Sequence, residues 1–216
     1  MPIRHVARRG FLLSLLALLA ACGGAGPADF DPLPRQATVL AFGDSVTHGT
    51  GAGPGEDFPA RLAAITGWEV VNAGVPGDRA DTARGRIVDA LRAHQPELVI
   101  IELGGNDFLR GRSPEAVKED LRALIEQTRR QGAQPLLIGV PRVSALRAAT
   151  GRLRDDDLYR ELAREEQVPL IEDVLSGVLS NRDLRTDAIH PNAAGYRHMA
   201  REIAEALDNL GLWLAP

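Results

Sequence analysis

Residues 37–45 read Ala-Thr-Val-Leu-Ala-Phe-Gly-Asp-Ser, and this stretch decides the fold. An uncharged run leads straight into Gly-Asp-Ser, as happens where a strand buried on both faces gives way to a turn. Further short runs bounded by turn residues cover 69–72, 98–103, 136–140 and 168–171. Together with 37–42, they predict the five strands of one sheet.

Amphipathic stretches separate these runs and predict helices. Ser113 and Pro114 have the residue types that favour the cap and the first position of a helix. Apolar positions recur at helical spacing in three stretches, at Val117, Leu121, Leu124, Ile125 and Thr128, at Ala83, Ile87 and Leu91, and at Tyr196, Met199, Ala200, Ile203 and Leu207. Strands alternating with helices predict right-handed crossovers and a parallel sheet covered on both sides. We therefore expect one α/β domain over residues 37–216.

The charge balance and the single cysteine restrict the class of protein. The 216 residues include 25 Lys and Arg and 29 Asp and Glu, for a formal net charge of −4. Nucleic-acid binding needs a basic face that neutralises phosphates, so this balance argues against a nucleic-acid partner. One cysteine cannot form an intrachain disulfide, and no Cys/His cluster has the spacing of zinc ligands. We expect a monomer with a conventional apolar core.

The amino-terminal segment has the features of an export signal. Three arginines precede an uncharged, leucine-rich run over 11–21, which is too short to span a membrane and is typical of a signal peptide. Cys22 follows Leu-Ala-Ala, a sequence that resembles the lipobox of bacterial lipoproteins. We predict a signal peptide over 1–21, a diacylglyceryl thioether on Cys22 and a flexible tether that extends to residue 36.

On this interpretation the mature protein is a periplasm-facing lipoprotein of the cell envelope, held to the membrane by lipid on Cys22. The alternative is ordinary secretion with cleavage after Ala21. Residues 8–12, Arg-Arg-Gly-Phe-Leu, also resemble a twin-arginine export signal.

Polar segments follow the predicted strands at the edge where open parallel sheets bind ligands. The segments are 42–45 (Phe-Gly-Asp-Ser), 72–78 (Asn-Ala-Gly-Val-Pro-Gly-Asp) and 104–107 (Gly-Gly-Asn-Asp), with 187–192 (Asp-Ala-Ile-His-Pro-Asn) before the last helix. They supply a hydroxyl nucleophile, a histidine with a carboxylate, and N–H donors. These are the groups that acyl transfer requires.

Position suggests a role for each of three residues. Ser45 lies where a strand gives way to a helix, so its hydroxyl and its own N–H would project above the sheet. A serine hydroxyl needs a base to remove its proton, and His190 is the best candidate. Asp187, three residues earlier, can fold back and accept the imidazole Nδ1–H, which fixes the tautomer.

Each residue also has an ordinary structural interpretation. Asp44 and Ser45 could cap a helix, and Asn106 and Asp107 could cap a loop or a helix. Asp187 and Asn192 could be caps around a helix that starts at a proline, and Gly77 could serve only a turn with positive φ. His190 could be a surface histidine. The catalytic interpretation is preferred because all the segments fall at one edge of the sheet.

These segments resemble the sequence blocks of the SGNH (GDSL) hydrolase family over residues 38–207. The matching blocks are Gly43-Asp44-Ser45-Val46, Gly77, Gly104-Gly105-Asn106-Asp107 and Asp187-Ala188-Ile189-His190-Pro191. The resemblance implies a flavodoxin-like three-layer α/β/α sandwich with Ser45 as nucleophile, His190 as base and Asp187 as its orienting residue. It further implies an oxyanion hole formed by the N–H groups of Ser45 and Gly77 and the Asn106 amide, with no metal or cofactor.

Within the family, the sequence is similar to bacterial periplasmic thioesterases, lysophospholipases and arylesterases. Val46 replaces the leucine of the family name, a conservative change. Pro76 and Arg79 stand where smaller residues are usual, and the proline is expected to stiffen the oxyanion loop. Arg79 could attract an anionic head group or could be a solvated residue at a helix start.

The expected substrates are short to medium acyl esters or thioesters, including lysophospholipid, hydrolysed through an acyl-enzyme. Phe108, Leu109 and residues 143–146 could form a shallow acyl groove or could pack onto the sheet. Two alternatives stay open, because fold does not name a substrate. One is a carbohydrate O-deacetylase acting on envelope polysaccharide, and the other is a catalytically silent lipid-binding lipoprotein.

Overall fold

The apolar runs form a single parallel sheet in the order β2-β1-β3-β4-β5. The structure is a computed structural model, and it describes residues 32–142 and 153–215. Every neighbouring pair of strands is parallel. The strands are β1 (Thr38–Gly43), β2 (Glu69–Gly74), β3 (Leu98–Glu102), β4 (Gln134–Ile138) and β5 (Leu170–Ile171). This order is the flavodoxin-like one, and it confirms the predicted α/β fold.

Helices connect the strands and form two packed groups. The helices are α1 (Ser45–His48), α2 (Phe58–Thr66), α3 (Ala80–Ala83), α4 (Ile87–His94), α5 (Gly105–Leu109), α6 (Pro114–Arg130), α7 (Asp157–Glu166), α8 (Val174–Ser180) and α9 (Ala193–Asn209), with a 3₁₀ turn at Arg182–Leu184. Helix α9 packs on α2 and α8, whereas α6 packs on α3, α4 and α7. The sheet therefore lies between two helical layers.

The core follows the predicted apolar pattern. The predicted inward positions of α6 and α9, from Val117 to Thr128 and from Tyr196 to Leu207, are buried. All five residues of β3 are buried, as expected for a strand covered on both faces. Strand β2 is half-buried because it lies at the edge of the sheet.

One predicted helix is divided in two. Ala83, Ile87 and Leu91 lie on the inward side as predicted, but α3 ends at Ala83 and α4 begins at Ile87. The intervening turn contains Gly85, which is a poor helix former. It also contains Arg86, whose guanidinium reaches the ends of two strands.

Strand ends also differ from prediction by up to two residues. Strand β4 starts at Gln134, two residues before the predicted start. The prediction missed these two residues because a glutamine followed by a proline does not continue an apolar run. Strand β5 has only two residues.

The amino-terminal predictions lie outside the described residues. These are the signal peptide over 1–21, the lipidation of Cys22 and the greater part of the tether; the proposed groove residues 143–146 are outside as well. Among the helices that the structure describes, none combines the length and the apolar character needed to span a bilayer.

Candidate active site

The predicted segments meet at the carboxyl edge of the sheet. In the observed order, β1 is flanked by β2 and β3, so the chain crosses to opposite sides of β1 at a topological switch point. Ser45 follows β1, Gly77 follows β2 and Asn106 follows β3. The loop with Asp187 and His190 reaches the same edge just before α9.

Ser45 is the first residue of α1, where Asp44 is the cap. The Asp44 Oδ1 accepts a hydrogen bond from the Val46 N–H at 2.9 Å, so the capping interpretation of Asp44 holds. Gly43 is required at the turn, because a Cβ there would lie 2.0 Å from Thr47 Oγ1 and 2.5 Å from the Glu102 carbonyl oxygen. This tight turn presents the Ser45 side chain at the sheet edge.

A chain of hydrogen bonds joins Ser45 to His190 and Asp187. The Ser45 Oγ lies 3.0 Å from His190 Nε2, although the two residues are 145 positions apart. The other ring nitrogen, Nδ1, lies 2.8 Å from Asp187 Oδ2. With Nδ1–H donating to the carboxylate, Nε2 is free to accept the serine proton.

The loop that carries Asp187 and His190 is closed by its own backbone. Thr186 N–H donates to the His190 carbonyl at 2.9 Å, and Asn192 N–H donates to the Leu184 carbonyl at 3.0 Å. The Asn192 side chain then caps α9 by accepting from the N–H groups of Ala194 and Gly195. The histidine is therefore anchored to the start of a long helix.

The Asp187 carboxylate is held in its ionised form. Burial opposes ionisation, but a hydrogen bond from the His190 ring and backbone N–H donors at Ile189 and His190 outweigh it and lower the pKa of Asp187. Both backbone bonds to Oδ1 measure 2.8 Å. A negative charge next to an imidazole favours the protonated form of the ring.

Gly77 occupies a tight turn after β2. The Asp78 N–H donates to the Val75 carbonyl at 3.0 Å, and Gly77 has φ +80°. Because proline at the second position fixes a negative φ there, residues 75–78 form a type II turn. Pro76 is thus compatible with this turn. Among the described residues, the Gly77 N–H has no hydrogen-bond acceptor.

Asn106 is the second residue of α5, and its amide nitrogen has two partners. Nδ2 donates to Asp44 Oδ2 at 2.9 Å and to the Asp78 carbonyl at 3.0 Å. Gly104, two residues before Asn106, has φ +124°, and a Cβ there would lie 2.1 Å from the Tyr159 hydroxyl oxygen. The amide therefore links the loop after β1 to the loop after β2.

Asp44 is a buried carboxylate next to Ser45. Asp44 is 3% exposed, and burial raises its pKa from 3.8 to about 6, against the opposing effects of the Val46 N–H, the His190 charge and the Asn106 amide. A group with this pKa changes charge just below neutral pH. The sequence identified Asp44 only as a helix cap.

Glu102 was missed as a site residue by sequence analysis. It ends β3, is 1% exposed and accepts the Thr47 hydroxyl at 2.9 Å through Oε2. Oε1 has no partner among the described residues. Burial, with the nearby Asp44 charge, raises the pKa of Glu102 well above its ordinary value, which favours the neutral acid. A glutamate at the end of an apolar strand was the available signal.

A cavity of about 30 Å³ lies beside Ser45. Its polar lining includes Asn106 and Glu102, and its apolar lining comes from Val46, Leu109, Val140, Pro141, Leu175, Leu179 and Ile189. Leu109 is 53% exposed at this site, whereas Phe108 packs against the core and lies under the Arg142 guanidinium. Leu109 thus lines the cavity, and Phe108 packs inward.

Arg79 forms an ion pair with Asp81 at 2.8 Å. Its hydrogen bonds to both Asp81 carboxylate oxygens occupy the guanidinium at the start of α3.

The sequence profile described as "GDSL-like Lipase/Acylhydrolase family" matches residues 41–198. The thioesterase 1/protease 1/lysophospholipase L1 of Escherichia coli K12 is 33% identical over 181 residues, which cover 80% of this chain and 84% of that protein. An arylesterase of Vibrio mimicus is 28% identical over 178 residues, covering 78% and 87% respectively.

Solved structures agree with the sequence comparison. The crystal structure of TesA superposes with a TM-score of 0.69 at 30% identity, covering 80% of this chain and 99% of that chain. The predicted family resemblance is therefore confirmed. The chain belongs to the GDSL-like lipase/acylhydrolase, or SGNH hydrolase, family and is a hydrolase of ester bonds.

Proposed function

We propose that this hydrolase cleaves short to medium acyl esters or thioesters through a Ser45-His190-Asp187 triad and an acyl-enzyme. The observation that carries the proposal is the hydrogen-bond chain, with Ser45 Oγ 3.0 Å from His190 Nε2 and His190 Nδ1 2.8 Å from Asp187. These distances suit a nucleophile, a base and a group that orients the base.

In the acylation step, Ser45 Oγ attacks the substrate carbonyl carbon while His190 Nε2 takes the hydroxyl proton. The tetrahedral intermediate collapses as the carbon–oxygen or carbon–sulfur bond breaks, and His190 gives its proton to the departing alcohol or thiol. The ionised Asp187 stabilises the imidazolium between the two transfers. The acyl group is then attached to Ser45.

The negative oxygen of the intermediate requires donors that are already in place. The N–H groups of Ser45 and Gly77 and the Asn106 amide are proposed for this role. The Gly77 N–H, which has no acceptor among the described residues, supports the assignment. The Asn106 N–H that donates to the Asp78 carbonyl would also donate to the oxyanion. The hydrogen bond from Asn106 to Asp44 keeps the amide oriented.

Deacylation uses the same groups in reverse. Water enters next to His190, Nε2 takes its proton, and the hydroxide adds to the acyl carbon. The bond to Ser45 Oγ breaks as His190 returns the proton, which releases the carboxylic acid and restores the serine.

The cavity beside Ser45 supports an acyl group as the part of the substrate that binds there. Its apolar lining suits a hydrocarbon chain. The E. coli relative is named as a thioesterase and lysophospholipase, which supports thioesters and lysophospholipids as substrates of this chain too. We also propose that Cys22 carries the lipid anchor of an envelope protein facing the periplasm.

A hydrolysis panel tests the proposal. We would assay p-nitrophenyl esters of two to sixteen carbons, an acyl-CoA series and lysophosphatidylcholine with wild type, Ser45→Ala, His190→Ala and the double variant. Each single variant should lose most turnover, and the double variant should be little worse, because triad members act as a unit. Independent, multiplicative losses would contradict a shared role. Wild-type binding of fatty acid without turnover of any ester would instead indicate a carrier.

A further inference from the structure

Arg86 makes three hydrogen bonds at the edge of the sheet, each to a different segment. Its Nη2 donates to the Gly43 carbonyl and its Nη1 to the Ala73 carbonyl, both at 2.8 Å. Its Nε donates to Asp78 Oδ2 at 2.7 Å. A guanidinium presents donors in a fixed planar fork, so one side chain can hold three acceptors at a set spacing.

The three acceptors bracket the proposed catalytic groups. Gly43 ends β1 two residues before Ser45, and Ala73 lies at the end of β2 before the turn. Asp78 directly follows Gly77. The guanidinium is thus bonded to the strand that leads to the nucleophile and to both sides of the turn that carries a proposed oxyanion donor.

The surroundings of Arg86 make these bonds strong. The guanidinium carbon lies 3.8 Å from the centroid of the Phe42 ring, which is fully buried. The Asp78 side chain is 7% exposed and that of Arg86 is 27% exposed. A partly desolvated cation over an aromatic face, bonded to a buried carboxylate, resists displacement by water.

Asp78 extends the link to the next segment. Its backbone carbonyl accepts the Asn106 amide at 3.0 Å, while its carboxylate accepts Arg86. Displacement of Asp78 would therefore disturb Gly77 on one side and Asn106 on the other.

We infer that Arg86 is a positioning residue that sets the oxyanion hole relative to Ser45 by clamping the ends of β1 and β2 and the turn at 75–78. It does not touch the substrate. The inference rests on the proposed function, since it concerns donors that act on an oxyanion.

The test compares Arg86→Gln and Arg86→Lys with Arg84→Gln, all assayed on one p-nitrophenyl ester. Arg84 is a matched control, because it is two residues away, 48% exposed and paired with Asp120. Arg86→Gln should lower kcat by about 10- to 100-fold with KM changed by less than about twofold, as expected when the loss falls on the transition state. Arg86→Lys should stay impaired, because one ammonium cannot reproduce the fork. Arg84→Gln should keep wild-type kcat.

Folded protein is quantified by near-ultraviolet circular dichroism, so that kcat refers to native molecules. Full kcat in folded Arg86→Gln, full rescue by lysine, or a raised KM with unchanged kcat would each overturn the inference. The same assay also tests the proposed function, which holds if the wild type hydrolyses the ester and Ser45→Ala does not. A normal Arg86→Gln then removes only the role of Arg86, whereas full activity in Ser45→Ala removes the proposed function itself.

Discussion

The Asn106 side chain donates its amide hydrogens within the protein, to the Asp44 carboxylate and the Asp78 carbonyl. If it also donates to the oxyanion, Asn106→Ala should lower kcat by about 10²- to 10³-fold with little change in KM. Steady-state kinetics check this, with the exposed Asn209→Ala as control. Normal kcat together with a lowered Tm would mean that Asn106 serves only to join the loops.

Asp44 has a folded-state pKa of about 6 against an ordinary value of 3.8. The folded protein therefore binds this proton more tightly than the unfolded chain, so protonation adds stability that is complete below about pH 3.8 and lost as pH rises through about 6. Ionisation of Asp44 at neutral pH therefore opposes folding.

Asp44→Asn removes this titration. The difference in unfolding free energy between wild type and Asp44→Asn should shift by about 2 kcal/mol in favour of the variant from about pH 4.5 to about pH 7.5. Urea unfolding at the two pH values measures it. A difference that does not change with pH would show that Asp44 titrates normally.

At the scale of elements, the Asn192 cap connects helix α9 to the loop that holds His190. Asn192→Ala should lower stability by about 1 kcal/mol, the usual loss for a helix cap. It should also lower kcat by about tenfold if His190 is the base, because the start of α9 anchors the loop that holds His190.

Ser113→Ala is the matched control, since Ser113 caps α6 by accepting from the Ala116 N–H. It should lose similar stability and keep its kcat. Urea unfolding and ester hydrolysis of both variants supply the comparison. Equal kcat values in the two variants would show that the α9 cap has no part in holding His190.

The elements were predictable to different degrees. Strands β1 and β3 are buried on both faces, so their apolar runs identify them without further information. The break between α3 and α4 was missed, because the apolar positions at Ala83 and Ile87 continue across it. The intervening turn includes Arg86, which bonds backbone carbonyls 13 and 43 residues away, and such contacts leave no periodic pattern.

At the scale of the whole molecule, the sheet order brings together the predicted site residues Ser45, Asn106 and His190 from distant parts of the chain. Their meeting was predictable, because carboxyl ends of parallel strands share one edge. The buried carboxyl groups of Asp44 and Glu102 were not predicted as ionisable site groups. Burial sets their pKa values, and burial depends on the packing of several elements.

The proposed anchor belongs to the same scale. A diacylglyceryl group with an added acyl chain binds a bilayer firmly, whereas one chain binds only marginally. Wild-type protein should take up labelled fatty acid and fractionate with membranes, and Cys22→Ala should be unlabelled and soluble. Metabolic labelling with fractionation provides both readouts. Unlabelled, soluble wild type would contradict the anchor and leave the catalytic proposal unchanged.

The central claim is that Ser45 is the nucleophile activated by His190, and covalent labelling with a fluorophosphonate tests it most directly. Ser45 Oγ should attack phosphorus and expel fluoride while His190 takes the hydroxyl proton. Peptide mass spectrometry of the wild type should locate one adduct on Ser45. The adduct should be absent in Ser45→Ala and should form much more slowly in His190→Ala. An adduct on another residue, or ester hydrolysis at the wild-type rate by Ser45→Ala, would contradict the account.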